Sequence, residues 1–342
     1  MFRNGVWKIL TVFAIVFACL MMFTGNADAA TEGDFEYSVS SDGATITGYT
    51  GTGGAVTIPS TLGGYDVISI DSSAFSENTT ITSISIPSSV TALDSGVFEG
   101  CTGLVTIIFE PGSTISAIPG RAFYGCTSLT TITIPESVTS IGGYYGDYTF
   151  EGCTSLVTIT IPDAVTFMGS YTFRNCTALE EVVFGEDSLL KTIGTYDYTF
   201  GGLFKGCSSL VSLYLPKLID VPISETDFEG CTSLTSFSVH PDSKRFITVD
   251  GVLCYKSSKT VGSEKVYYAS AIYVYPAAKA GTSYTVPETI SSLASGAFQD
   301  CKLTSIDLSS SQVTAISSHV FRNCTQLTSI SRSEERRVGK EC

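Results

Sequence analysis

Cysteine and histidine are the residues of this sequence whose side chains could carry nucleophilic or metal chemistry. Eleven cysteines are present, and eight of them follow a phenylalanine by three residues, as Cys101 follows Phe98. The two histidines, His240 and His319, lie far apart in the chain. A zinc site needs several Cys or His ligands at close spacing, a catalytic triad needs a nucleophile beside a histidine, and the sequence offers neither pattern. We therefore predict no enzyme activity, no metal site and no cofactor.

The regular position of these eight cysteines favours buried free thiols. Each cysteine takes the same place in a repeated phrase, so together they form a ladder and not an evident set of pairs. We expect the coils to diverge on this side beyond easy disulfide reach. Disulfides between some neighbours and metal binding remain as alternatives. Cys254 falls outside the repeated position and is a candidate for exposure.

The phrase around these cysteines is the unit of an internal repeat. From Phe75 to Phe321 the steps between successive phenylalanines are 23, 25, 27, 23, 31, 24, 70 and 23 residues, so a period of 23 carries small insertions and one large one. Leu129 begins a Leu-x-x-Ile-x-Ile pattern that places alternate apolar side chains on one face of a short strand, and Pro135 then ends the strand. One coil cannot bury that face, whereas stacked coils can, with Phe as a large plug and Cys as a small filler.

This repeat resembles the BspA-like leucine-rich-repeat family over nearly all of the chain, from about Thr47 to Ile330. The expected fold is a β-rich leucine-rich-repeat solenoid of stacked coils of about 23 residues. It has a parallel sheet on one face, short turns or helical turns on the other, and one β-hairpin insertion. The resemblance implies a bacterial or microbial-eukaryote surface protein that contacts host proteins or neighbouring cells, and it implies no conserved catalytic centre.

The sequence divides into six segments with different patterns. They are a signal peptide (1–30), an N-terminal β cap (31–55), leucine-rich repeats (56–239), a β-hairpin insertion (240–283), further repeats (284–331) and a segment that resembles translated adapter DNA (332–342). The apolar run from Ile9 to Phe23, followed by Ala27-x-Ala29, is typical of a secretory signal and is short for a membrane span. Asp250-Gly251 predicts the turn of the hairpin.

Charge and the predicted export signal limit the partners. The chain carries a net charge of −14, which disfavours nucleic acid and anionic membrane surfaces. We predict an extracellular or cell-surface location and no transmembrane segment in the mature region. The expected partners are surface proteins of host or neighbouring cells, with the extracellular matrix or glycans as further candidates.

Two groups of side chains are candidates for contact with a partner. The outward positions of the predicted parallel sheet are mostly Ser and Thr, and Ile108, Val183 and Tyr214 interrupt one of these rows. Outward apolar side chains in a surface row can mark a contact patch. Hydroxyl residues in the row also have a plainer explanation, because β-branched polar residues suit an exposed strand face.

Tyrosine-rich insertions form the second candidate group. They lengthen two turns, and their tyrosines are Tyr144, Tyr145, Tyr148, Tyr196 and Tyr198. Insertions in solenoids map to loops on one face, often the binding face, and tyrosine offers adaptable contacts. The alternative is that these rings pack on each other and cap the longer turns.

These patterns favour a secreted or cell-surface repeat protein that mediates protein–protein binding or adhesion to host or neighbouring cells. Two alternatives remain open. One is a carbohydrate-binding surface module, which the tyrosine-rich loops favour. The other is a repeat spacer for a missing C-terminal domain.

Overall fold

The computed structural model describes residues 29–143, 147–194, 201–219 and 226–332. Within these ranges the chain forms 25 strands and no α-helix. The predicted signal peptide as far as residue 28, and the adapter-like segment from residue 333, lie outside them. The strands in chain order are β1 (Ala30–Glu32), β2 (Phe35–Val39), β3 (Ala44–Tyr49), β4 (Gly54–Thr57), β5 (Thr61–Leu62), β6 (Tyr65–Ile70), β7 (Ile81–Ile86), β8 (Ala92–Leu93), β9 (Thr106–Phe109), β10 (Ala117–Ile118), β11 (Thr131–Ile132), β12 (Ser140–Ile141), β13 (Thr158–Ile161), β14 (Phe167–Met168), β15 (Glu181–Phe184), β16 (Thr192–Ile193), β17 (Ser212–Leu215), β18 (Ser236–Val239), β19 (Phe246–Val249), β20 (Val252–Val261), β21 (Glu264–Val274), β22 (Ser283–Thr285), β23 (Ser292–Leu293), β24 (Ser305–Asp307) and β25 (Ser329–Ser331).

The strands of the Leu-x-x-Ile-x-Ile pattern lie side by side and parallel, as predicted. β4, β7, β9 and β11 form one ladder, a single bridge between Thr133 and Thr160 leads on to β13 and β15, and β17 pairs with β18. Along β13 burial alternates, with Ile159 and Ile161 inside and Thr158 and Thr160 outside. The repeat period and this alternation confirm the predicted solenoid.

A second, narrower ladder lies on another side of the coils. Its strands β10, β12, β14 and β16 are two residues long and parallel, and Ile118 aligns with Ile141 and then with Met168. These are the Val-x-x-Ile parts of the repeat, whose apolar side chains point inward. Each coil is therefore held to its neighbours by backbone hydrogen bonds on two sides.

The repeated phenylalanines stack into a continuous column inside the turns. Consecutive rings from Phe75 to Phe228 have centroids between 5.2 and 5.8 Å apart, and five of the six contacts are close to stacked. Phe75, Phe123 and Phe173 are at most 1% exposed. Offset aromatic stacking adds to the burial of these large side chains, so the column is a major part of the core.

The turn that holds each cysteine requires a left-handed backbone at the residue before it. In five coils that residue is glycine, as at Gly152 with φ of 76°. A Cβ on Gly152 would lie 3.7 Å from the Cα of Gly125 in the preceding coil, so space is also short. Asn175 and Asn323 take this position in two other coils, and asparagine tolerates the conformation better than most residues.

The long insertion consists of two successive hairpins. β19 and β20 join at Asp250 and Gly251, which both have positive φ as a type I′ turn requires, and this confirms the predicted turn. β20 then pairs with β21 over almost its whole length, with a second turn at Gly262. At the base of this hairpin, Tyr275 stacks on Phe298 at 5.2 Å and so takes the place of a column phenylalanine.

Candidate functional site

The sheet face, defined as the outward side chains of β7, β9, β11, β13, β15, β17 and β18, contains the predicted apolar row. Ser85 aligns with Ile108, Thr160 with Val183, and Tyr214 with Ser238. Ile108 is 52% exposed. Val183 and Tyr214 are half-buried, because parts of their side chains rest on the sheet.

Further apolar side chains lie exposed at the starts of these strands, and sequence reasoning missed them. Val105, Val157 and Val211 are 41%, 42% and 47% exposed. Each directly follows the leucine of the repeat phrase, where other coils carry Thr130, Glu180 and Thr235. A comparison of this column between coils could have found them, because three of its members are valines in a column otherwise occupied by polar residues. Together with the predicted row they form an apolar strip across several coils.

A hollow of about 390 Å³ lies on the sheet face where the ladder opens between β11 and β13. Its lining includes Thr131, Thr133, Thr158 and Thr160, with Glu136 at one side. The opening coincides with the longer coil that carries the first tyrosine-rich insertion. The hollow is shallow and rich in hydroxyl groups, so it adds polar contact area beside the apolar strip.

Acidic side chains surround the strip near β15. Glu180, Glu181, Glu186 and Asp187 are all exposed. Within the described part of the chain, none of these four carboxylates takes part in an ion pair. Burial raises the pKa of Tyr214, and the nearby Glu186 raises it further. This end of the sheet face is therefore negatively charged around half-buried apolar groups.

Tyr148 is the one residue of the tyrosine-rich insertions that the structure describes. Its ring stacks on Tyr171 of the next coil with centroids 4.9 Å apart and planes at 2°, and Tyr124 meets it edge-on at 6.5 Å. Burial raises the pKa of Tyr148, in part through the neighbouring Tyr171. These contacts are of the kind that ring packing between longer turns would give. Tyr144, Tyr145, Tyr196 and Tyr198 lie outside the described residues.

The backbone around this stack is tightly specified. Tyr148 and Tyr171 both have positive φ, at 40° and 57°, which is uncommon for a bulky residue. In the following coil Gly202 takes the same position, and a Cβ there would lie 2.8 Å from the ring of Tyr171. The ring of one coil therefore requires a glycine in the next.

Ion pairs link neighbouring coils on the side of the turns. Arg121 contacts Glu99 of the preceding coil through two nitrogens, and Arg174 contacts Glu151 at 3.5 Å. Burial raises the pKa of Glu151, although Arg174 and Arg121 oppose that shift. Arg121 also lies 4.4 Å above the ring of Tyr124. Charges on the turn side are thus largely matched between coils, unlike those near β15.

The repeated cysteines are free, buried thiols with a regular hydrogen bond. Each of seven thiols donates to the carbonyl oxygen of the phenylalanine in the preceding coil, at 2.8–3.2 Å; they are Cys101, Cys126, Cys153, Cys176, Cys207, Cys231 and Cys324. Burial raises the pKa of Cys101 to about 12. These thiols are therefore structural groups and poor nucleophiles.

Two expectations about the cysteines were wrong. Cys254 is 1% exposed, because its strand forms the base of the hairpin and faces the core. The Sγ atoms of Cys301 and Cys324 lie 3.3 Å apart, so divergence of the coils does not separate this pair. Elsewhere in the described ranges, no group of three or more His, Cys, Asp or Glu side chains converges as metal ligands would.

Comparison with known proteins follows from this architecture. The sequence profile of the BspA type leucine-rich-repeat region, in six copies, matches residues 55–145, 144–248 and 274–342, which is more than half of the chain. The chain belongs to the BspA-type leucine-rich-repeat family. None of the curated protein sequences compared with this family member matches it.

Solved structures of similar architecture come from bacterial surface and repeat proteins. The BspA-type chain is similar to a leucine-rich cell surface protein of Faecalibacterium prausnitzii A2-165, with 26% identity and a TM-score of 0.70 over 90% of this chain and 77% of that one. It is also similar to a leucine-rich-repeat protein of Bacteroides ovatus ATCC 8483, with 25% identity and a TM-score of 0.62 over 88% and 70%. The pneumococcal vaccine antigen PcpA shares the fold at 22% identity and a TM-score of 0.56, over 89% and 70%.

Proposed function

We propose that this chain is an extracellular or cell-surface binding protein whose sheet face contacts proteins on host or neighbouring cells. The observation that carries the proposal is the apolar strip, with Ile108, Val157 and Val211 each more than 40% exposed on a rigid parallel sheet. Exposed apolar groups rimmed by polar residues are typical of protein–protein contact sites. The similarity to a bacterial leucine-rich cell surface protein supports the location.

Family membership supports binding over catalysis. Proteins of this repeat family are typically non-enzymatic, and the buried thiols and separate histidines provide no nucleophile beside a base. In the described residues no helix is long and apolar enough to cross a bilayer. The fold supplies an extended surface, which is the usual contribution of a solenoid to recognition.

A triple variant tests the proposal directly. Ile108→Thr, Val183→Thr and Tyr214→Thr give the row the hydroxyl side chains that its neighbours carry, and threonine keeps strand propensity. We expect roughly 10- to 30-fold weaker binding of labelled protein to target cells, because an interface tyrosine alone can contribute about 2 kcal/mol. Flow cytometry measures the binding, after a panel of epithelial and bacterial cells has identified a target.

The matched control is Tyr65→Thr with Ile316→Thr, which changes two exposed apolar residues away from the sheet face. This control should bind as the unmodified protein does. Equal binding by the triple variant, or a folded protein that binds no cell, would contradict the proposal. Loss of binding after glycosidase treatment of the cells, with protease treatment harmless, would favour the carbohydrate-binding alternative.

A further inference from the structure

The hairpin of β20 and β21 projects away from the coils. Its strands pair from Lys256 with Ala269 to Val261 with Glu264, and every residue from 258 to 267 is exposed. We refer to residues 258–267 as the hairpin tip. Five paired residues per strand extend roughly 17 Å, at about 3.4 Å per residue. That length exceeds the Debye length of about 8 Å at physiological salt, so the charge of the body is largely screened at the tip.

The insertion that contains the tip is basic, whereas the rest of the chain is acidic. Residues 240–283 hold six basic and three acidic residues, a net charge of +3, and the whole chain carries −14, which leaves −17 for the remainder. Lys259 and Lys265 lie within the tip itself. The tip therefore attracts acidic surfaces of the kind that the body of this protein presents.

Exposed apolar side chains in the tip indicate a polypeptide partner. Val261 is 55% exposed and Val266 is 40% exposed. Cross-strand pairing places both valines on one face of the ribbon together with Lys259. Aliphatic groups gain little from a charged polymer but are well matched by the apolar groups of a protein surface.

The sheet face near β15 and β17 has the complementary chemistry. Val183 and Tyr214 are half-buried there, and the exposed carboxylates of Glu181 and Glu186 lie in the same part of the chain. The tip cannot be using the face of its own chain in this structure, because all ten of its residues are exposed. A second copy would present the same acidic and apolar surface to it.

We propose that the hairpin tip of one copy docks on the sheet face of a second copy, at Val183 and Tyr214. The contact joins two different surfaces, so it is heterologous and extends head to tail. Lysines of the tip then face the carboxylates around β15, and the valines cover the apolar groups between them. The inference rests on the proposed use of the sheet face for protein contact and names a second copy as one occupant.

Charge reversal in the full chain tests the contact. One variant carries Lys259→Glu and Lys265→Glu in the tip, and the other carries Glu181→Lys and Glu186→Lys on the sheet face. We expect light scattering at about 100 μM protein and 50 mM NaCl to show assembly of the unmodified chain and at least 10-fold weaker assembly of each variant. An equimolar mixture of the two variants should regain assembly, because each tip then meets a face of opposite charge.

The control is Lys302→Glu, which reverses one exposed lysine outside the insertion. It should assemble as the unmodified chain does, and circular dichroism should show the same fold for all variants. A monomeric unmodified chain, assembly that ignores both charge reversals, or a mixture that stays monomeric would each overturn the inference. Loss of cell binding in the triple threonine variant, combined with a monomeric unmodified chain, would leave the proposed function standing and remove this inference alone.

Discussion

The turn side of the coils and the sheet face satisfy their side chains in different ways. On the turn side, rings stack on rings, thiols donate to carbonyls, and Arg121 and Arg174 meet carboxylates of neighbouring coils. On the sheet face, Ile108 and Val211 are about half exposed and the carboxylates near β15 face solvent. The difference indicates that the turn side holds the stack together, while the sheet face retains groups that a partner can cover.

The column of phenylalanines provides the largest test of this division. Phe173→Ala should lower the free energy of unfolding by about 3–5 kcal/mol, because the ring is fully buried between two others and its loss leaves a cavity. Urea unfolding followed by circular dichroism measures the change. A cost below about 1 kcal/mol would show that the column does not support the stack.

The thiol hydrogen bonds should have a smaller but clear effect. Cys153→Ala removes a donor from the carbonyl of Phe123 and leaves a small cavity, so we expect a loss of about 1–3 kcal/mol. Cys153→Ser keeps a donor and separates the two contributions.

Alkylation of the native protein with iodoacetamide gives an independent check on the same thiols. Mass spectrometry should find no label on Cys126, Cys153, Cys176 or Cys207, because they are buried and burial holds their pKa far above its ordinary value. Cys324 is partly exposed and should react first among the described cysteines. Rapid labelling of Cys153 in the folded protein would contradict the account.

A buried acid on the turn side predicts a pH dependence. Burial raises the pKa of Asp147 above its ordinary 3.8, although the backbone N–H groups of Ser170 and Gly143 donate to it. The folded state then keeps this proton at pH values where the unfolded chain has lost it. Its contribution to stability is full below pH 3.8 and is lost as the pH rises through the folded pKa.

Asp147→Asn removes that titration. The unmodified protein should therefore lose more thermal stability between pH 4 and pH 7 than the variant does, as measured by differential scanning calorimetry. An equal or smaller loss in the unmodified protein would mean that the carboxylate is ionised in the fold without penalty.

The partly exposed ion pairs should contribute least. A double-mutant cycle on Glu99→Gln and Arg121→Gln should give a coupling of about 0.2–1 kcal/mol, because water screens such pairs. The coupling should fall at 1 M NaCl. A coupling above about 2 kcal/mol would show that the ion pairs, and not the rings and thiols, hold the turn side together.

Much of the architecture could be predicted from sequence because the coil is repeated. Alternation around Ile132 and its equivalents established the inward and outward positions, and the strand register confirms the alignment of Ser85 with Ile108 and of Thr160 with Val183. The binding role of that row stays a prediction. Repetition thus compensated for the weak information in any single strand.

Features that occur once in the chain were harder to predict. The turn at Gly262 was missed because the run from Val252 to Val274 contains no proline and no Asn-Gly pair, so two long strands read as separate pieces. The burial of Cys254 depends on which face of that hairpin packs on the core. The exposed Val105, Val157 and Val211 precede the alternating pattern, so that pattern makes no statement about them.

Binding by two matched variants to the same target cells tests the central claim most directly. One variant is the triple threonine variant of the sheet face, and the other is Tyr148→Ala with Tyr171→Ala on the turn side. The account predicts that the first loses at least 10-fold in cell binding while the second, if still folded by circular dichroism, binds as the unmodified protein does. Loss of binding in the folded tyrosine variant, with full binding by the threonine variant, would place recognition on the turn side and contradict the account.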